Sequence, residues 1–372
     1  MIPITRPELP PLADYVHLLE RIWSTRMLSN FGEFSQALEK IASDYLRTGA
    51  RAVVSGDVGL VCAISCLELP AGTTCLVPSF TFNSTINAVL WNDLIPVFVD
   101  IDPETFCMDP DAAAAAAERC GPSLIVATHV FGNPCDADRL GALARRHDAR
   151  LLFDAAHGYG SRRGDTPVGG LGDVEVFSLS GTKPVTCAEG GLVTSRDQRF
   201  LERFEYARAY GFQHDYNSRV QGMNGKMSEL HAALGTLTLP TIDAVLEHRF
   251  GQIATYRRLL AGVEGIRFQN VRAEDRSTFK DLAIVFDDPA ARDRCRDELA
   301  KQEIQTKLYF RPCHRMDAFF AFADEPLPAT DEVYDRILCL PLYASLDDRT
   351  IESICSTVRA AAIAGVAAAP AR

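Results

Sequence analysis

Between Arg51 and Ser195 short apolar runs recur with helical patterns between most of them, and this alternation constrains the fold more than any other feature of the chain. Ala52-Val-Val-Ser, Thr74-Cys-Leu-Val, Ile95-Pro-Val-Phe-Val-Asp, Ser123-Leu-Ile-Val-Ala-Thr, Arg150-Leu-Leu-Phe-Asp, Val174-Glu-Val-Phe-Ser and Gly191-Leu-Val-Thr read as seven buried strands. Strands that are apolar throughout, rather than at alternate positions, belong to a largely parallel sheet covered by helices on both faces. Ligands in such sheets gather at the carboxyl ends of the strands. A helical stretch from about Lys226 to Val263, broken near Pro240, leads to a different pattern: Asp281-Leu-Ala-Ile-Val-Phe, a helix over about 290–301, Ile304-Gln-Thr-Lys-Leu-Tyr-Phe as a strand, and a last helix from about Asp347. The expected architecture is α/β: a large domain over 1–245 with a mostly parallel seven-stranded sheet, and a smaller C-terminal α+β domain over 246–372. The first thirty residues are candidates to pack on the smaller domain.

At 372 residues two domains are the natural division. A formal charge of −11 argues against nucleic acid as a partner, since phosphate contacts need a basic face. The eleven cysteines show no Cys-x-x-Cys or mixed Cys/His ligand spacing, so no metal site is expected and a reducing cytoplasm is the simple reading. No run reaches the ~18 apolar residues of a membrane span, and the start Met1-Ile-Pro-Ile-Thr-Arg-Pro has no apolar leader. The Ala-rich tail from Ala360 to Ala371 reads as a helix end followed by a frayed terminus.

Two strand-end motifs carry chemistry. Asp154 closes the fifth apolar run, and Lys183 follows the sixth in Ser178-Leu-Ser-Gly-Thr-Lys183-Pro. A lysine amine that holds an aldehyde as a Schiff base, with a carboxylate facing a pyridine nitrogen to keep it protonated, is the pair that pyridoxal phosphate needs. The lysine must be available as a neutral amine, which desolvation and nearby positive charge favour. Taken singly, each motif also fits a plainer role: a ligand-facing aspartate in any open sheet, or a surface turn with a solvated lysine. Ser55-Gly-Asp-Val-Gly59 opens a helix and offers backbone N–H groups and a dipole to a phosphate, or simply an N-cap by Ser55 or Asp57. Phe82, in Pro78-Ser-Phe-Thr-Phe82, is placed to stack on a pyridine ring or to pack in the core.

In this order the motifs resemble the nucleotide-sugar aminotransferases, the DegT- and StrS-like group of fold type I pyridoxal phosphate enzymes. The likeness also includes Pro96-Val-Phe-Val-Asp-Ile-Asp102, His129-Val-Phe-Gly-Asn-Pro134, Asp154-Ala-Ala-His157, Glu189-Gly-Gly191, Gly222-Met-Asn-Gly-Lys-Met-Ser-Glu229 and Leu340-Pro-Leu-Tyr343. The resemblance implies that Lys183 binds the cofactor aldehyde, Asp154 pairs with the pyridine nitrogen and His157 lies by the ring hydroxyl. It further implies that Phe82 stacks on the ring and that Gly56, Asp57 and Ser178 hold the phosphate. Asn224 would reach that phosphate from the partner in a homodimer with its active sites at the interface. Two departures stand out: Asp57 occupies a position where the group usually has threonine, and Leu179-Ser180 replaces a common Phe-His.

The N-terminal stretch with Leu28-Ser-Asn-Phe-Gly32 is most similar to the branch that aminates the C-4 ketone of dTDP-4-keto-6-deoxyglucose with L-glutamate. Arg219, Lys226, Tyr309 and His314 are the candidates to meet the nucleotide keto-sugar, with solvated arginine and lysine and a core tyrosine as the plainer alternatives. C-3 or cyclitol amination and sugar dehydration on the same fold, and a non-catalytic sugar-binding or regulatory role, are the competing readings. The first strand lacks a full Gly-x-Gly-x-x-Gly, which leaves little weight for a dinucleotide site.

Overall fold

The computed structural model describes residues 1–212 and 215–368, so the end of the Ala-rich tail, from 369 on, lies outside the described residues. Seven strands form the main sheet: β1 Gly49–Val53, β2 Thr74–Pro78, β3 Ile95–Val99, β4 Leu124–Thr128, β5 Arg150–Asp154, β6 Val174–Ser178 and β7 Gly191–Ser195. Their spatial order is β1-β7-β6-β5-β4-β2-β3. β7 runs antiparallel to both of its neighbours, β1 and β6. The β2–β3, β2–β4, β4–β5 and β5–β6 pairs are parallel.

The period of two along each strand explains why both faces read as apolar. Leu76, Ile125, Leu151 and Phe153 point to one side, where they pack with α5 (Pro110–Cys120) and α6 (Ala137–Arg146). Val77, Leu124, Val126 and Leu152 point to the other, against α3 (Gly56–Cys66), α4 (Asn83–Leu90) and α7 (Gln198–Ala207). Each such fully buried side chain contributes about 2 kcal/mol by transfer from water. A third cluster joins α2 (Glu33–Leu46) and α8 (Glu229–Thr238) to β1, β6 and β7 through Leu38, Ala42, Ala50, Phe177, Leu192 and Ala233. Glu229 locks this corner: its carboxylate accepts the α2 first-turn N–H groups of Phe34 at 2.7 Å and Ser35 at 3.2 Å.

The helical stretch breaks where the proline stands, giving α8 and then α9 (Ile242–Leu259) after a short 3-10 turn at Leu239–Thr241. α9 passes from one core to the next: Ile242 and Leu246 belong to the cluster beneath the large sheet, Ile253 and Tyr256 to the cluster around the small sheet. That region has a three-stranded antiparallel sheet of β8 (Ile266–Phe268), β9 (Leu282–Phe286) and β10 (Ile337–Leu340), with α10 (Pro289–Lys301), α11 (Pro328–Arg336) and α12 (Asp348–Ala368).

Ile304–Phe310 corrects one expectation: it is not a strand of this sheet. It makes only isolated bridges, Ile304 to Ile2 and Lys307 to Cys339, the latter on the edge of β10 away from β9. The chain's first residues run beside it, with Ile2 N–H donating to Glu303 at 2.8 Å, whereas α1 (Leu12–Thr25) turns to the large domain and ties Tyr15 to the Leu230 carbonyl at 2.9 Å.

Candidate active site

The carboxyl ends of β5 and β6, the amino end of α3 and the residues Lys280, Tyr309 and Phe310 enclose a cavity of about 410 Å3. Asp154 is buried at its floor. Its Oδ2 accepts the Thr85 hydroxyl at 2.6 Å and its Oδ1 the Ala156 N–H at 3.0 Å. Burial raises the Asp154 pKa, opposed by those two hydrogen bonds and by the Lys183 charge. Behind Thr85 the hydroxyls of Thr81 and Thr128 continue the chain in steps of 2.9 Å.

Lys183 sits in the loop after β6, which is braced by Lys183 N–H to Ser180 at 3.0 Å and Cys187 N–H to Leu179 at 2.8 Å. Burial, then the charge of Lys280, pull its amine down to a pKa of about 8, against the attraction of Asp281, Asp154 and Asp57. His157 also lines the cavity. Its pKa is held well below the usual histidine value by burial and by Lys183 and Lys280, so it is neutral, and its Nδ1 is buried without a hydrogen-bond partner. An orphaned buried nitrogen of this kind awaits a ligand atom.

At the amino end of α3, Ser55 Oγ accepts the Val58 N–H at 3.2 Å, so the cap and the open cavity coexist. Gly56 and Asp57 line the cavity beside Ser178. A Cβ at Gly56 would stand 3.2 Å from the Ser178 Cβ, so glycine lets the helix end approach the strand end closely. The cradle offers backbone amides, a helix dipole and a hydroxyl, the donor set a phosphate requires. Phe82 lines the mouth and is 57% exposed, which makes it a ring waiting for a partner rather than core.

Eight of the residues singled out from sequence therefore share one cavity: Gly56, Asp57, Phe82, Asp154, His157, Ser178, Lys183 and Tyr309. Four do not line it. Arg219 is exposed and bonded to Asp215 at 2.9 Å, Lys226 lies over the Tyr210 ring at 4.1 Å, and Asn224 is exposed on the same segment. His314 is tied to Ser79 at 2.7 Å and to Asp331 at 3.1 Å, behind the cavity wall.

Phe310, inside the candidate segment from Tyr309 to His314, lines the cavity as well, whereas sequence reasoning missed Thr85 and Lys280. The signal for Lys280 was present: an adjacent Lys-Asp pair immediately before the wholly apolar β9 is a charge pair about to enter a core.

The DegT/DnrJ/EryC1/StrS aminotransferase family matches residues 13–359. The chain belongs to this family. It is 31% identical over 363 residues to the dTDP-4-amino-4,6-dideoxy-D-glucose transaminase of Shigella dysenteriae, spanning 96% of this chain and 98% of that one. It is 28% identical over 307 residues to the UDP-N-acetyl-3-dehydro-alpha-D-glucosamine 3-aminotransferase of Acidithiobacillus ferrooxidans, 82% of each chain. The crystal structure of DesI in the presence of its TDP-sugar product superposes with a TM-score of 0.90 at 32% identity, covering 97% of this chain and 92% of that one. The protein is thus a pyridoxal phosphate-dependent sugar aminotransferase. The orphaned His157 nitrogen, the Asp154 carboxylate and the amide cradle at Gly56 fit that cofactor. Among the described residues no group of His, Cys, Asp and Glu is placed to hold a metal ion, and no helix is long and apolar enough to cross a membrane.

Proposed function

We propose that this family member moves the amino group of L-glutamate to the C-4 ketone of dTDP-4-keto-6-deoxy-D-glucose, giving the 4-amino-4,6-dideoxy sugar. The observation that carries the chemistry is the meeting of the Lys183 amine, the Asp154 carboxylate and neutral His157 in one cavity. The choice of C-4 is supported by the likeness to the Shigella enzyme over nearly the whole of both chains.

When bound, pyridoxal phosphate supplies an aldehyde and an electron-accepting ring. Gly56 and Asp57 through their backbone amides, with the Ser178 hydroxyl, would bind the phosphate, and Phe82 would cover the ring. Asp154, its carboxylate kept in place by Thr85 and Ala156, would hold a proton at the pyridine nitrogen. His157, with its unpartnered Nδ1, would receive the ring hydroxyl. Lys183 would hold the cofactor's aldehyde, and its amine, lowered by burial to a pKa of about 8, would be the group that carries the proton taken from the donor's α-carbon. Tyr309, hydrogen-bonded to Lys307 at 2.7 Å, faces the sugar, while His314 braces the wall behind it. Free thiols at all eleven cysteines fit the reducing cytoplasm as the place of work.

Incubation with glutamate and the dTDP-4-keto sugar should yield 2-oxoglutarate and nitrogen at C-4, read by mass spectrometry and NMR. The 3-keto isomer should be a poor substrate, because its carbonyl stands about one ring bond from the reacting position, a misplacement that costs roughly 10²-fold. Nitrogen at C-3 would overturn the substrate and leave the cofactor chemistry standing.

We further propose that the working unit is a homodimer in which Asn224, with Arg219 and Lys226 on the same exposed segment, completes the neighbouring subunit's site. Mixing Lys183→Ala with Asn224→Ala subunits should then restore activity, towards half of normal in each hybrid dimer, since one of its two sites carries neither defect. Proven subunit exchange without recovery would return Asn224 to its own subunit.

A further inference from the structure

Lys280 is the second lysine in the cavity, and the roles assigned above leave it unused. It is 3% exposed, and its ammonium donates to both oxygens of Asp281, at 3.1 and 2.9 Å. A lysine ammonium has three donors, so one remains for the cavity.

Lys280 does not have Asp281 to itself. Asp281 is felt not only by Lys280 but also by Lys307 and by the buried Arg249, whose other acidic neighbour is Glu8. The Asp281 carboxylate is thus shared among Lys183, Lys280, Lys307 and Arg249, which leaves the buried Lys280 ammonium open to a further anion. The Lys280 charge also reaches both Lys183 and His157, so an anion bound to it sits next to the reacting centre. The acidic groups Asp57 and Asp154 are among the residues that fit the cofactor. Of the two substrates of a transamination, the amino donor carries a carboxylate on the carbon that reacts, whereas the anion of a nucleotide sugar is a diphosphate remote from its ketone.

We propose that Lys280, oriented by Asp281, is the anchor for the α-carboxylate of the amino donor. The assignment rests on the aminotransferase reading of the same cavity and adds the residue that recognises the donor. Lys280 alternates between partners in the course of a cycle: it binds the donor carboxylate in the first half-reaction and releases it with the 2-oxo acid before the sugar enters. Tyr309, whose ring lies 5.1 Å from the Lys280 nitrogen, separates the anchor from the sugar side.

The test uses the holoenzyme and an unreactive dicarboxylate, glutarate, whose binding is measured by calorimetry. A lost charge-assisted hydrogen bond at a buried site predicts that Lys280→Met weakens glutarate, and raises the KM for glutamate, by about tenfold to a hundredfold. The KM for the keto-sugar should stay within about twofold, as expected for contacts that do not touch it. Lys280→Arg should recover most of the glutarate affinity, and Asp281→Asn should bind glutarate at least as tightly as wild type, because the competing carboxylate charge is gone. Should Lys280→Met not fold, Lys280→Gln, which keeps a hydrogen bond to Asp281 without the charge, carries the same comparison. A rise in keto-sugar KM with unchanged glutarate binding would move Lys280 to the acceptor side, and unchanged values throughout would leave it a wall residue; either result overturns the anchor. Failure to aminate the dTDP-sugar would leave the glutarate arm readable, so the two proposals fail separately.

Discussion

Lys183→Ala should lose turnover by at least about 10³-fold, since the residue that holds the cofactor and the residue that moves the proton are the same amine. The protein should remain folded: removing an amine whose pKa is pulled down to about 8 by burial relieves a desolvation cost rather than breaking a bond. Thermal unfolding of the cofactor-free variant at or above the wild-type midpoint, with no visible absorbance from bound cofactor at the lysine, is the expected pair of results. Borohydride reduction of the wild type followed by peptide mapping should place the pyridoxyl group on Lys183. Recovery of the label on Lys226 or Lys280 would sink the assignment.

The sign of the pH effect follows from the same cause. With a pKa near 8 the cofactor-free amine is half neutral at pH 8 and only about a tenth neutral at pH 7, so cofactor capture should climb through this range and level off above it. A capture rate still climbing steeply at pH 10 would mean that burial is not holding the amine down.

Asp154→Asn should cut the chemical step by roughly 10²-fold or more while cofactor occupancy is largely kept, because a preorganised charge is removed from where positive charge must be held and the phosphate cradle is untouched. The local structure can absorb the change. Asparagine has one acceptor where aspartate has two; the amide can donate to Thr85 Oγ1, and the hydroxyl chain through Thr81 and Thr128 can reverse its direction. Single-turnover rates with glutamate, set against spectrophotometric titration of the cofactor, separate the two effects. Equal rates in variant and wild type would mean that Asp154 does not face the pyridine.

The main sheet was legible because its signal is local and doubled: strands covered on both faces are apolar at most positions, so all seven stand out even where β1 carries Arg51 and β6 the buried Glu175. The small sheet was less so. Ile337–Leu340 is only four residues long and follows a helix directly, while Ile304–Phe310 has the composition of a strand without its partner. Pairing is a property of two segments, and neither segment states it alone. Ser55 shows the converse: its capping role was readable because a cap is satisfied within three residues.

For the site, the sequence by itself determined which residue types were present at strand and helix ends: Asp154, Ser178, Lys183 and the Gly56 turn. Each is set by short-range geometry, the register of a strand or the start of a helix, and the sheet's parallel order then brings those ends to one edge. What only the tertiary structure decided is how they are charged and who else joins them. The amine of Lys183 is lowered, and the imidazole of His157 neutral, because Lys280 arrives from nearly a hundred residues further along the chain and because burial strips both of water. Thr85 meets Asp154 across 69 residues of sequence. Coulomb interaction and desolvation depend on distance in space and on enclosure, neither of which is encoded in the spacing of residues along the chain.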